Sequence, residues 1–165
     1  GPGAFTGLRI GLATARAIAL AAGIQSFGIT TLAVVAAAAR RIAEDDLPVL
    51  AAVDSRRAEP YAQLFSGGRA MGEPVAVTVE SAAGLIPSGD FTIAGDGAAK
   101  LLPMLPRAPL RQLELLPDAA EAARLAVSVL ASGETLDPSE PLYIRPPDAV
   151  TTAEAEAARR AKQGR

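Results

Sequence analysis

Gly1-Pro2-Gly3-Ala4-Phe5-Thr6-Gly7-Leu8-Arg9-Ile10-Gly11 opens the chain, and its reading decides the fold. Two glycines around a proline cannot be helix interior, so the first three residues form a tight turn. Thr6 is placed to cap a helix. Ala and Leu then dominate as far as Gly23, a natural C-terminal stop. The expectation is a turn followed by a helix of about four turns, from about Thr6 to Ala22.

That helix is apolar on every side. Leu8, Ile10, Leu12, Ile18 and Leu20 spread round its circumference at about 100° per residue. Gly7, Gly11, Ala15 and Ala19 recur at every fourth position as a smooth ridge, and Arg9, Thr14 and Arg16 are its polar residues. Such a helix must be covered all round: one side is expected to meet the protein's own sheet, the other a second helix at close range. Gly7, Leu8, Gly11, Leu12, Ala15, Ile18 and Ala19 are therefore the candidate partner interface. A wholly internal helix is the competing reading. A membrane span is disfavoured, because the run falls short of about 20 apolar residues and two arginines interrupt it.

Composition narrows the chemistry. In 165 residues, half are hydrophobic and 21% charged, with a net charge of −2, so no global attraction to nucleic acid or anionic membrane is expected. Aromatics are scarce at 4%, which leaves Leu, Val, Ile and Ala to build the core. With no cysteine and no histidine, disulfides, thiolate zinc sites, Ser-His hydrolysis and most transition-metal sites are excluded. No metal ligand set and no cofactor site is expected.

Taken in order, Ile24 to Ile29 reads as a strand broken by Gly28. Thr30 or Thr31 caps a helix from Leu32 to Glu44, and Asp45-Asp46-Leu47-Pro48 is a linker. Val49 to Val53 is a continuous apolar strand. Tyr61 to Phe65 is its hairpin partner, although Pro60 should disturb the start of the pairing. Ser66-Gly67-Gly68 turns the chain. Val75 to Val79 alternates as an edge strand, and Glu80 to Ile86 forms a short helix. Phe91 to Ala94 is a strand, followed by Gly95-Asp96-Gly97 and a helix to about Leu102. Asp118 caps a helix from Ala119 to Ala131, with Ala122, Leu125, Ala126, Val129 and Leu130 on one face. Leu142 to Pro147 is a short extended, edge-like segment. Residues 151–165 are a polar tail. Strands alternating with helices favour an α/β architecture with a mixed sheet.

Two places could carry chemistry. Asp54, Arg56 and Arg57 follow a buried strand and suit an anion, a phosphate or a charged partner, or simply an ion pair at a hairpin tip. Gly95, Asp96 and Gly97 lie between a strand and a helix, where backbone amides can bind an anion or glycines can merely make a tight turn. The glycines lack dinucleotide-loop spacing and a P-loop lysine.

The opening stretch resembles the TsaB (YeaZ) family motif Gly-Pro-Gly-Ser-Phe-Thr-Gly-Leu-Arg, with Ala4 in place of serine. Asp54, Arg56, Arg57 and Tyr61 match the family's Asp-Ala-Arg-Arg segment, from which Ser55, Ala58 and Pro60 depart. Leu142-Tyr143-Ile144-Arg145-Pro146-Pro147 resembles its Tyr-Leu-Arg-Pro close. The resemblance implies an actin, Hsp70 and sugar-kinase-like (RNase H-like) two-lobed α/β fold with mixed sheets. Residues 1–46 would be the remainder of an incomplete first lobe, residues 47–148 the second lobe, and residues 149–165 the tail. In the family the opening motif follows three strands and a helix, so a stretch before Gly1 is expected.

The resemblance further implies a non-catalytic, cytoplasmic scaffold or dimerisation subunit. It would activate a TsaD-like catalytic subunit that makes N6-threonylcarbamoyladenosine in tRNA, with a TsaE-like ATPase as a further partner. Homodimerisation is open, tRNA contact is expected through the complex alone, and no membrane is involved. The superfamily's phosphate turn is glycine-rich. Here Asp54-Ser55-Arg56-Arg57 has no glycine, so with Gly95-Asp96-Gly97 it implies a degenerate nucleotide site. The alternatives are an ATPase or kinase-like enzyme using those residues, or a homodimeric structural protein. A glycoprotease-like metallopeptidase is disfavoured by the absence of histidine.

Overall fold

The computed structural model describes residues 1–145. Pro146, Pro147 and the polar tail lie outside the described residues. The elements in order are α1 (Phe5–Ala22), β1 (Phe27–Gly28), α2 (Thr31–Ala43), β2 (Val49–Val53), β3 (Tyr61–Ser66), β4 (Arg69–Ala76), α3 (Val79–Ala82), β5 (Thr92–Ala94), α4 (Ala98–Leu101), β6 (Arg111–Leu113), α5 (Ala119–Ala131) and β7 (Asp137–Pro138).

The sheet is ordered β4-β3-β2-β5-β6. β2, β3 and β4 form an antiparallel meander, while β5 and β6 run parallel to β2. All five residues of β2 are buried, because helices cover both faces and side chains alternate between them. Val49, Ala51 and Val53 meet Leu32, Val35, Ala36 and Ala39 of α2. Leu50 and Ala52 face Phe91, Ile93, Ala98 and Leu101 on the other side. Thus α2, which the sequence reading grouped with residues 1–46, rests on the sheet of the residues that follow it. Its start is the expected one, with the Thr30 hydroxyl accepting from the Ala33 amide at 3.0 Å.

α1 departs from expectation in two ways. Its cap is Ala4, which offers no side-chain hydrogen bond, and Thr6 lies inside the first turn. Nor does the helix meet the sheet. Ala19 alone is buried, whereas Ile10, Ile18 and Leu20 are 63%, 61% and 85% exposed. It leans instead on the segment 139–143: Arg16 donates to the Ser139 carbonyl, and the Arg9 Nε donates to the Tyr143 hydroxyl at 3.0 Å. Gly23 ends it with φ 66° and an amide turned back onto the Ala19 and Leu20 carbonyls.

Short elements were displaced or absent in the sequence reading. β1 keeps two residues of the run from Ile24 to Ile29 and pairs with β7. The edge strand is β4, earlier than Val75 to Val79, because Thr78 and Ser81 close a capping box that starts α3. β6 was not foreseen. Pro60 leaves the hairpin intact, since pairing starts one residue later at Tyr61 opposite Val53. Leu142 to Arg145 makes no strand. On α5, Asp118 caps as expected, but the buried side chain is Glu121, held by Arg41 at 3.0 Å and Arg124 at 2.9 Å. Leu130 is 49% exposed, so the apolar face is only half covered.

The contrast between sheet and α1 is measurable. Phe91→Ala should cost about 3–5 kcal/mol in urea unfolding, as a fully buried ring leaves a cavity. Leu20→Ala should stay within about 0.5 kcal/mol. A large loss from Leu20→Ala would mean that α1 is covered within this chain.

Candidate functional site

The parallel pairing of β2 with β5 ends both strands at the same level, so Asp54 and the Gly95-Asp96-Gly97 turn meet. The Asp54 amide donates to the Asp96 carboxylate at 2.9 Å. The Asp54 carboxylate accepts from the Arg56 amide at 2.8 Å and from the Lys100 ammonium at 2.6 Å. Lys100 also donates to the Arg57 carbonyl at 3.1 Å. The Lys100 hydrogen bond is the main reason that the Asp54 carboxyl titrates below its ordinary value, with the Arg56 amide second. Sequence reasoning missed Lys100; its one signal was a helix starting where two parallel strands end.

The glycines are there for close approach. A Cβ on Gly95, whose φ is 112°, would overlap the Ala52 carbonyl oxygen, and one on Gly97 would sit 2.7 Å from the Val53 carbonyl carbon. Their amides are spent internally: Gly95 donates to Leu113, Gly97 to Ala52 and Ala98 to Gly95. This turn therefore presents those amides to the sheet rather than to a ligand. The loop of Arg56 and Arg57 is fixed by its own side chains. Ser55 donates to the Glu59 carbonyl at 2.6 Å and accepts from the Arg57 amide at 3.1 Å. Arg56 sits at φ 61°.

Beside this loop opens a cleft of about 600 Å³ lined by three distant segments: residues 2–9, the turn at 55–57 with Tyr61, and residues 142–145. These are the three stretches that the sequence reading singled out separately. Phe5 and Tyr143 lie with ring centroids 5.7 Å apart, and the Arg9 guanidinium covers Phe5 at 4.1 Å. Arg145 lies 5.5 Å from the Tyr61 ring and bonds the Glu59 carboxylate. Among the described residues the lining carries Arg9, Arg56, Arg57 and Arg145 and no carboxylate.

A second hollow, of about 480 Å³, lies between α2 and α5. Its three arginines are all paired within it, Arg40 with Asp46 and Arg41 and Arg124 with Glu121, so it reads as a clamp between helices. Among the described residues no group of three or more His, Cys, Asp or Glu is placed to hold a metal.

The candidate interface divides on α1. Gly7, Gly11, Ala15 and Ile18 are exposed, Leu8 and Leu12 are half-buried, and Ala19 is turned inward. A Cβ on Gly11 would meet nothing within 4 Å.

The family model described as "TsaD: tRNA N6-adenosine threonylcarbamoyltransferase" matches residues 1–134. The chain is 34% identical to the tRNA threonylcarbamoyladenosine biosynthesis protein TsaB of Escherichia coli (strain K12), over 88% of this chain and 68% of that protein. Among solved structures, YeaZ from Pseudomonas aeruginosa superposes with a TM-score of 0.75 at 30% identity, over 87% of this chain and 70% of that one. A Pseudomonas aeruginosa protein described as similar to the peptidase YeaZ gives the same TM-score and identity, over 88% and 70%.

The Asp54–Lys100 pair can be tested by titration. A depressed folded pKa means stabilisation that is present above the ordinary aspartate value of 3.8 and lost as pH falls through the lower folded value. Following carboxyl resonances by NMR, Lys100→Met should move the Asp54 midpoint up toward 3.8 and leave the smaller depression from the Arg56 amide. An unmoved midpoint would show that the ion pair does not set it.

Proposed function

This chain belongs to the TsaB (YeaZ) family, and on that premise we propose that it serves tRNA threonylcarbamoyladenosine biosynthesis as a non-catalytic scaffold, docking a TsaD-like catalytic subunit through α1. The observation that carries the reading is the exposed flank of α1. Gly7, Gly11 and Ala15 leave a smooth track beside Ile10 and Ile18, both of which stand in solvent. Contiguous apolar exposure of this kind marks protein interfaces, and small residues let a second helix come close. Residues 47–148 are read as one lobe and residues 1–46 as the remainder of the other, with α2 lying against the sheet of the former.

Two features support a scaffold over an ATPase. The amides of Gly95, Gly97 and Ala98 are committed to internal bonds, and Asp54 is held by Lys100. α1 is the one helix among the described residues long and apolar enough to cross a membrane. Its two arginines, each bonded to the segment 139–143, tie it to the rest of the chain instead. A second copy of this chain is the other occupant that the same flank suits.

Gly11→Leu and Ala15→Leu separate these ideas from a purely internal role. Leucine should raise helix stability at Gly11, by up to about 1 kcal/mol, because nothing lies within 4 Å of the new Cβ. Sedimentation with a TsaD-like subunit should show association weakened at least tenfold, while the isolated chain melts no lower. If association survives both substitutions, α1 is not the docking surface.

A further inference from the structure

We infer that the cleft between the start of α1, the 55–57 turn and residues 142–145 is a groove for single-stranded RNA, contacted directly by this chain. Among the described residues its lining concentrates Arg9, Arg56, Arg57 and Arg145 without a carboxylate, in a protein whose net charge is −2. The nearby acids are already engaged: Asp54 by Lys100, and Glu59 by Arg145 with the charge of Arg57 close by. Guanidinium groups recognise phosphate through paired N–H donors.

The aromatic residues make the groove more specific than an anion trap. Only 4% of the chain is aromatic, yet Phe5, Tyr61 and Tyr143 all line this cleft. Phe5 and Tyr143 remain 50% and 46% exposed, and with Arg9 already stacked on Phe5 they form a cluster that a base would join from its solvent side. Arginine interleaved with exposed rings is the pattern by which proteins hold unpaired nucleotides, whose bases are free to stack. Duplex RNA hides its base faces and does not fit that chemistry. The start of α1, with an uncapped Ala4 and no acidic residue in its first turn, adds modestly to the positive field.

Arg145 is already paired with Glu59, yet cations on three segments still exceed what one phosphate needs, which favours a short strand over a mononucleotide. The choice of RNA rests on the tRNA reading above; the groove itself does not depend on the docking of α1. It also departs from the expectation, drawn from net charge and resemblance, that tRNA is reached only through a complex. Total charge says nothing about a local cluster.

The test is fluorescence anisotropy of a labelled unstructured RNA of about ten nucleotides with the full chain alone, over a salt series. AMP, inorganic phosphate and an RNA duplex serve as competitors. Arg56→Asn removes a charge with a residue that tolerates the left-handed backbone found there, and is combined with Arg57→Gln. The pair should weaken binding and make the log–log salt dependence shallower by about 0.7 per arginine removed. Phe5→Leu should weaken binding at least fivefold at every salt concentration with the slope unchanged. Thermal unfolding of each variant should match the parent.

No RNA binding, or binding that the variants leave untouched, overturns the proposal. So does AMP or phosphate competing as strongly as RNA, which would make the cleft a simple phosphate site. Since no TsaD-like subunit is present, none of these outcomes bears on the docking of α1.

Discussion

The approach of the Gly95–Gly97 turn to the last residues of β2 is the contact on which the rest of the architecture depends. It brings two backbones within a distance that no side chain at either glycine would allow, and the Gly97 amide bonds across the gap to the Ala52 carbonyl. Because β2 and β5 are parallel, this one contact aligns their ends. Asp54 is thereby delivered to Asp96 and Lys100, and the following loop is thrown toward α1. The same strand supports both cores, α2 on one face and α4 on the other. Loss of that approach would loosen the sheet and the cleft together.

The extent to which this was legible follows from the length of each signal. α2, β2, β3, β5 and α5 were readable because each has a cap, a turn or an unbroken apolar run that local physics produces. β6 has three residues and β7 two, too few for any periodicity. β4 was displaced because Val75, Val77 and Val79 alternate like one strand, while the Thr78 and Ser81 hydroxyls close a helix start in the middle. On α5 the buried Glu121 was invisible to a rule that puts apolar residues inside. Its burial is decided by two arginines, one of them 80 residues away in sequence.

The candidate site was legible in pieces. Asp54, Arg56, Arg57 and the glycine turn stood out as local patterns, and parallel strands were enough to bring them together. Their convergence with Phe5, Arg9, Tyr143 and Arg145 was not legible. It depends on how α1 lies against the segment 139–143, a long-range contact made by arginine side chains rather than by a periodic apolar face. Charge behaved in the same way. In the hollow between α2 and α5 each arginine has its carboxylate inside the lining, whereas the described lining of the cleft carries arginines and no carboxylate, and a whole-chain total averages the two away.

α1 sets the last constraint. Most helical stability in proteins comes from packing an apolar face, and α1 has little of that, so its margin rests on propensity and its arginine anchors. Against that margin, glycine within a helix costs about 0.8–1.0 kcal/mol relative to alanine. Gly7 and Gly11 both sit in the helix, yet a Cβ at Gly7 would touch only the Ala4 methyl at 4.0 Å and one at Gly11 would touch nothing. At Gly95 the reason for glycine is inside the fold; at Gly11 the fold supplies none. A small residue at an energetic loss, on an apolar helix that its own sheet leaves bare, is what the proposed docking of a second helix would account for. That is the physical content of assigning this flank to a partner.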